Sequence, residues 1–365
     1  MKEHQISTPA IQQWVQNLFL AAGSDAGEAQ ITAQNLVLAN LSGHDSHGIG
    51  LVPRYVKSFL GGELKLNQTI ELAVDTGPMV IADCGMGMGQ SVGTQAMDVA
   101  IQRASEHGVA LLGLRNAHHI GRIGHWAEQA INAGMVSIHF VNATIKKPVV
   151  APHGGSEARF LTNPFTVGIP RRDGDPLVLD FATSAIAHGK ARVALNKGVG
   201  VPEGTTIDAD GNPTTDPRVL YDDPLGAIRT FAAHKGHALA IVCELLGGAL
   251  TGGRTTHPAS LPEGLGIVNN MLSIVFDPAR LGTQDNFESE TQLFIDWVQS
   301  ARLDEIGREL GGILLPGDPE RRMRAARAKH LPVDQGTMDE LSEAAREISA
   351  YSGKTVADPS DLIAP

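Results

Sequence analysis

Apolar residues recur at helical spacing through the first sixty positions. Trp14, Val15, Leu18 and Phe19 follow Ser7-Thr8-Pro9 and stop at Gly23, which predicts a first helix. A second is predicted over 25–41: Asp25 can cap it, Glu28 stands three residues on as in a capping box, and Ile31, Leu36, Val37, Leu38 and Leu41 give a broad buried face. Pro53 suits the first turn of a third helix carrying Tyr55, Val56, Phe59 and Leu60, ended by Gly61-Gly62. The period then shortens. Segments 70–74, 79–83, 109–115, 135–142, 166–170, 177–180 and 270–276 read as strands, with helices over 91–107 and 123–133 between them. Segment 237–250 reads as a buried helix with small residues on one side, and 286–308 and 337–348 as further helices. The pattern predicts a mixed α/β fold of the α+β kind. A helical part over 1–75 and another over 286–365 would pack together beside a central mixed sheet formed by 76–285.

Composition narrows the partners. The 365 residues carry a formal net charge of −11 and no basic tract, which argues against nucleic acid or an anionic membrane surface. Arg321, Arg322, Arg324, Arg327 and Lys329 read as the solvated face of a helix near the C-terminus. Cys84 and Cys243 sit in apolar surroundings without metal-ligand spacing, as reduced thiols of a cytoplasmic protein do. MKEHQISTPA has no apolar core of a secretion signal. The longest apolar run, 238–250, includes Glu244 and several glycines and is too short to span a bilayer. Forty-one glycines favour tight turns and close backbone approaches.

Chemistry concentrates in a few stretches. NLSGHDSHGIGLVPRY, 40–55, is a short link between two packed helices, where His44, Asp45 and Ser46 can either cap helix ends or react. Gly85-Met86-Gly87-Met88-Gly89 follows a strand and precedes a helix, but no register completes G-x-G-x-x-G. From Gly85 the third glycine falls on Gln90, and from Gly87 on Val92. A plain turn and a non-Rossmann fold are expected. RNAHHIGRIGHW, 115–126, runs off a strand end into a helix and can present backbone N–H groups to an anion or a carboxamide. Of its adjacent histidines, one is expected to stack or cap and the other to be exposed. LDFATSAIAHGK, 179–190, brings Asp180 to a strand end, where it can orient a histidine, and Thr183-Ser184 is expected to cap the next helix. His234-Lys235 at a helix mouth can grip a phosphate or a ribose, and Asp318 in the turn LPGD suits ribose hydroxyls. Metal hydrolysis is the rival from another class, since His44, His47, His118, His119 and His125 are dense. There is, however, no HExxH and no metal-site spacing beyond His44 and His47, so no metal site is expected. G-x-S-x-G is also absent.

Taken in order, GHDSHGIGLVPRY, NAHHIGRIGHWAEQA, VAPHGG…FLTNPF, LDFATSAIAHGK, DGNPTTDP, HKGHALAIVCELLGGALTGG and LLPGD resemble the malate/L-lactate dehydrogenase family that lacks a Rossmann domain. The resemblance covers nearly the whole chain. It implies a homodimer with a mixed-sheet nucleotide domain, a helical domain built from both chain ends and an active site near the subunit boundary. It implies NAD or NADP as coenzyme and a 2-oxo or 2-hydroxy acid as substrate. By the same resemblance His47 matches the proton donor, supported by Ser46 and Asp180, and His119 matches the acid–base histidine of one branch of the family. The coenzyme would meet His47, Gly121, Arg122, Ile123, Asp180, Phe181, Ala182, Thr183, Ser184, His234, Lys235, Asn269, Leu315, Pro316, Gly317 and Asp318.

One departure matters. Many relatives place an arginine for the substrate carboxylate four residues after the histidine, and here that position is Leu51. Arg54, Arg122 and Arg159 are the candidates to replace it, and the change favours a bulkier or more apolar 2-oxo acid. The expected reaction is NAD(P)H-dependent reduction of that acid, with a proton from a His47 kept charged by Asp180. Reduction of a cyclic imino acid is the alternative within oxidoreductases. A catalytically silent nucleotide binder is a third possibility.

Overall fold

The computed structural model describes residues 3–261, 264 and 266–363. In chain order its elements are β1 (Glu3–Ser7), α1 (Thr8–Ala22), α2 (Ala26–Leu41), α3 (Val52–Leu60), β2 (Glu71–Asp75), β3 (Met79–Asp83), α4 (Gly89–His107) and β4 (Val109–His118). There follow α5 (Gly124–Asn132), β5 (Val136–Thr144), β6 (Phe165–Ile169), β7 (Leu177–Phe181), α6 (His188–Lys197), β8 (Thr206–Ile207), β9 (Pro213–Thr214), β10 (Ala227–Ile228) and α7 (His234–Cys243). The chain closes with β11 (Val268–Phe276), α8 (Gln284–Gln299), α9 (Glu305–Leu310), α10 (Asp318–Arg327), β12 (His330–Asp334) and α11 (Gln335–Ser352).

The central sheet has seven strands in the order β2-β3-β4-β11-β5-β6-β7, and only β3 and β4 run parallel. This is the expected mixed sheet. Its single parallel crossover is β3–α4–β4, and the glycine run 85–89 makes the turn into α4. Met86 N–H donates to Asn116 O at 2.7 Å and Gly87 N–H to Cys84 O at 2.8 Å, so these amides serve the fold and not a pyrophosphate. Gly89 lies directly against the carbonyls of His118 and His119, where a Cβ would overlap backbone. That approach seats the N-terminus of α4 on the end of β4. Apolar residues of α4, α5, β3, β4 and β11 form one core on this face, with Trp126 fully buried.

A second core joins the two chain ends. Ile11, Leu18, Leu36, Val52 and Tyr55 pack with Leu331, Met338, Leu341 and Ile348. Pairing of β1 with β12, Glu3 opposite Asp334 and Ser7 opposite His330, closes it along one edge. Asp25 caps α2 by accepting from Glu28 N at 2.8 Å, a contribution of about 1 kcal/mol. Glu28 does not reach back to the cap; its carboxylate accepts from Ser24 Oγ and Asn67 N instead.

Several expectations change. The helix expected over 286–308 is two, because Ser300 ends α8 and Asp304 caps α9. Neither contributes a buried residue to the core of the chain ends. α8 lies instead by the β6–β7 connection, where Arg171 donates to Gln292 and Arg172 pairs with Glu288. The segment expected over 237–250 becomes α7 followed by a wider π-turn, Glu244–Ala249, and it exposes Ile241, Val242, Leu245 and Leu250. Thr183 and Ser184 do not cap α6: their hydroxyls donate to Thr162 O and Ile186 O. Of the basic cluster near the C-terminus, Arg322 and Lys329 are exposed as expected, but three arginines of α10 are not simply solvated. Arg321 pairs with Asp318, Arg324 with Glu128 and Arg327 with Asp45.

Candidate active site

The link between α2 and α3 folds as two 3₁₀ turns, Asp45–His47 and Ile49–Leu51, built around Asn40. Its side chain donates to Asp45 Oδ1 at 2.7 Å and accepts from Ile49 N at 2.8 Å, so one buried amide holds both turns. Gly48 crosses directly over that amide, where any Cβ would overlap it. Three residues of the link reach α10. Ser42 Oγ accepts from Arg324 at 2.8 Å, His44 Nε2 meets Glu320 at 3.1 Å, and Asp45 pairs with Arg327 at 2.7 Å. His44 and Asp45 are therefore structural, and His47 is left to face inward.

There His47 Nδ1 lies 3.2 Å from His119 Nε2, the two rings within 4° of parallel. His119 Nδ1 is 2.6 Å from the Tyr55 hydroxyl, which also accepts from Gln90 Nε2 at 2.8 Å. Both residues of the 118–119 pair are buried, against the expectation that one is exposed: His118 stacks edge-on against the Tyr55 ring while His119 reaches its hydroxyl. Tyr55 and Gln90 were not singled out from sequence. Tyr55 read as one apolar position among several in its helix, and Gln90 only as the residue that spoils a glycine fingerprint.

Asp180 stands beside this group, not bonded to it. Its carboxylate accepts from Gly124 N and from Thr166 Oγ1, each at 2.8 Å, and lies 3.7 Å from Arg122 Nη1. It thus anchors the first residue of α5 from across the sheet. The expectation that Asp180 keeps His47 charged is overturned. Burial drives the His47 pKa down to about 4, His44 adds to the shift, Asp180 opposes it, and Arg122 lowers it again. His119 is pushed well below its ordinary value, first by burial and then by His47, His118 and Arg54. Both rings are neutral near pH 7.

Arg122 is 2% exposed and pairs with Glu128, which also binds Arg324. Among the described residues its Nε and Nη1 have no hydrogen-bond partner. Ser46 abuts Gly189 at the start of α6, and no hydrogen bond joins it to His47 or Asp180 among the described residues. Arg54 lies near enough to depress His118, His119 and His188. Arg159 is exposed and pairs with Glu157, away from this group.

The remaining sequence-selected residues form two flanks. On one, Phe181 packs on Phe231, Ser184 bridges to Thr230, and Ala185 N–H donates to Arg229 O. This rim borders a cleft of about 610 Å³ lined by His153, Arg229, Thr230 and Ala233, next to His234. Lys235 is exposed there, and Ala182 is half-buried within the rim. On the other flank Pro316 O accepts from Val178 N at 3.1 Å, so Leu315–Asp318 borders a cleft of about 340 Å³ shared with Glu128 and Arg324. The Asp318 carboxylate is already used by Leu315 N and Arg321, which weakens its assignment to ribose hydroxyls. Gly121 adopts a left-handed φ of 74° against Asn35, Ile123 is buried, and Asn269 accepts from Ile120 N at 3.1 Å, fixing the path from β4 into α5. Among the described residues no three His, Cys, Asp or Glu side chains group as a metal site. Among the described residues no helix is long and apolar enough to cross a membrane.

A profile of the malate/L-lactate dehydrogenase family matches residues 6–342, and the chain belongs to that family of NAD(P)-dependent oxidoreductases. Hydroxycarboxylate dehydrogenase B of Escherichia coli K12 is 45% identical over 349 residues, 94% of each chain. L-lactate dehydrogenase of Cupriavidus necator is 36% identical over 355 residues, 94% of this chain and 98% of that one. The structure of a putative malate/lactate dehydrogenase from E. coli superposes with a TM-score of 0.90 at 45% identity, covering 94% of this chain and 95% of the other.

The buried and half-buried imidazoles carry a stability consequence. His47, His118, His119, His125, His139 and His188 are all shifted down, burial being the largest cause for each. A group whose folded pKa lies below its unfolded value favours the folded state fully above the unfolded pKa, near 6.5, and loses that advantage as pH falls. Unfolding at pH 5.5 is expected to take up about five protons and the melting temperature to fall from pH 7 to pH 5. Calorimetry in buffers of different ionisation enthalpy counts those protons; uptake of one or none contradicts the assignment.

Proposed function

We propose that the protein reduces a 2-oxo acid to a 2-hydroxy acid with NADH or NADPH, and that His47 delivers the proton to the carbonyl oxygen. The observation that carries this reading is the fixed imidazole: Nδ1 is engaged by His119, while Nε2 has no protein partner among the described residues at a half-exposed position. The coenzyme supplies the hydride when bound. Gly121–Ile123, Asp180–Ser184, His234, Lys235, Asn269 and Leu315–Asp318 would hold it, and the orphaned N–H groups of buried Arg122 are the kind of feature an anionic or carbonyl ligand satisfies. Arg54 is assigned the substrate carboxylate in place of the residue at Leu51, since its charge already reaches the histidine pair. Ser46 shapes the wall opposite α6.

We read the assembly as a cytoplasmic homodimer. Leu245, Leu250, Phe294 and Trp297 are 53–70% exposed, a load of apolar surface that a second copy would cover. The test of the function is activity across phenylpyruvate, 2-oxoglutarate, oxaloacetate and a cyclic imine with each coenzyme. Turnover of at least one 2-oxo acid, faster than of the imine, is expected. Coenzyme binding without turnover on any of them would leave only a nucleotide-binding protein.

A further inference from the structure

The hydrogen-bonded row Gln90–Tyr55–His119–His47 has a direction. The Gln90 amide N–H donates to the phenol oxygen at 2.8 Å, which occupies that oxygen as an acceptor. The single phenolic proton then has two possible acceptors: His119 Nδ1 at 2.6 Å and the His119 carbonyl at 3.4 Å. The shorter contact is the stronger one. A neutral His119 that accepts at Nδ1 carries its proton on Nε2 and donates it to His47 Nδ1. A neutral His47 that accepts at Nδ1 carries its own proton on Nε2, the edge without a protein partner.

We infer that Tyr55 is the positioning residue that sets the tautomer of His119 and thereby keeps the transferable proton of His47 on Nε2. This rests on the proposed reduction and explains how a neutral imidazole serves as acid. As the Nε2 proton of His47 passes to the substrate oxygen, the Nε2 proton of His119 moves to His47 Nδ1 and the phenolic proton moves to His119 Nδ1. One N–H bond breaks and one forms on each ring, and the negative charge passes from alkoxide to phenolate. Burial pushes the Tyr55 phenol well above its ordinary range and so opposes the phenolate, while the Gln90 amide and the Arg54 charge offset part of that shift. Tyr55 is fully buried, so it acts only through the row and not on the substrate.

The groups facing the row are His44, Arg122 and Asp180 toward His47, and His118 and Arg54 toward His119, with His188 beside Arg54. With the relay intact, the reduction rate is expected to be level from pH 6 to 8. Tyr55→Phe keeps the ring and removes the proton. It is expected to lower kcat about 10–100-fold, leave KM for the 2-oxo acid and coenzyme affinity within about twofold, and make the rate fall with rising pH, because His47 must then be charged from solvent. Nitrogen-15 NMR of histidine-labelled wild-type protein at pH 7 tests the tautomers without a variant: His47 and His119 should both carry hydrogen on Nε2. A proton on Nδ1 of His47, or wild-type turnover and a level pH profile in Tyr55→Phe, overturns the inference. Should the wild type reduce no 2-oxo acid, the proposed function falls while the NMR still decides the tautomer.

Discussion

His47→Ala is expected to lower turnover of the 2-oxo acid by about 10²–10⁴-fold, the range a positioned general acid supplies, while coenzyme affinity stays within about threefold. The separation follows from geometry. The link 42–51 is held by the Asn40 amide and by the contacts of Ser42 and Asp45 to α10, none of which involves the His47 ring; only the hydrogen bond to His119 goes with it. Removing the ring therefore subtracts the acid and leaves the site walls standing. Steady-state kinetics with a fluorescence titration of NADH and NADPH check both halves. Turnover within threefold of wild type would remove His47 from the chemistry, and equal losses in turnover and coenzyme binding would make it a structural residue instead.

Glu128→Ala is expected to destabilise the fold by roughly 3 kcal/mol, because it leaves Arg122 as a buried charge short of its main partner. Glu128 accepts from Arg122 and from Arg324, so one carboxylate ties α5 to α10 and steadies the guanidinium beside Asp180. Burial alone would raise the Glu128 carboxyl; the two guanidiniums outweigh it and hold the group below its ordinary value. A depressed carboxylate stabilises the fold above the unfolded pKa, near 4.3, and ceases to do so as pH falls through the folded value. The gap in urea midpoint between wild type and variant should be open at pH 7 and narrow toward pH 3. Equal midpoints at pH 7 would mean the pairing contributes nothing.

How much of this could be read in advance depended on range. α1, α2, α4 and α11 are legible because each carries its own period, caps and stop: Asp25, Gly23, Gly108 and Asp334 all act within a few residues of where they stand. β1 and β12 are not legible, since each is five residues long and its partner lies more than 320 positions away. The link 42–51 stands out in the sequence by its histidines and glycines, yet what holds it, Arg324 and Arg327, reads there as solvated charge. Tyr55 and Gln90 escaped notice for a related reason. A phenol and an amide carry no spacing signature; only the fold brings positions 55, 90 and 119 to one point. Asp180 does raise the His47 pKa as its charge suggests, but the loss of water around that ring is the larger effect and decides the net direction.

Ser42, His44 and Asp45 are moored to residues 320–327, which stand 276–282 positions further along the polypeptide. On the ribosome, then, the link emerges long before its moorings and must wait until residues 320–327 have been made before those ties can close. A chain ending at Asp318 retains every residue proposed to meet the coenzyme and still lacks all three of these ties.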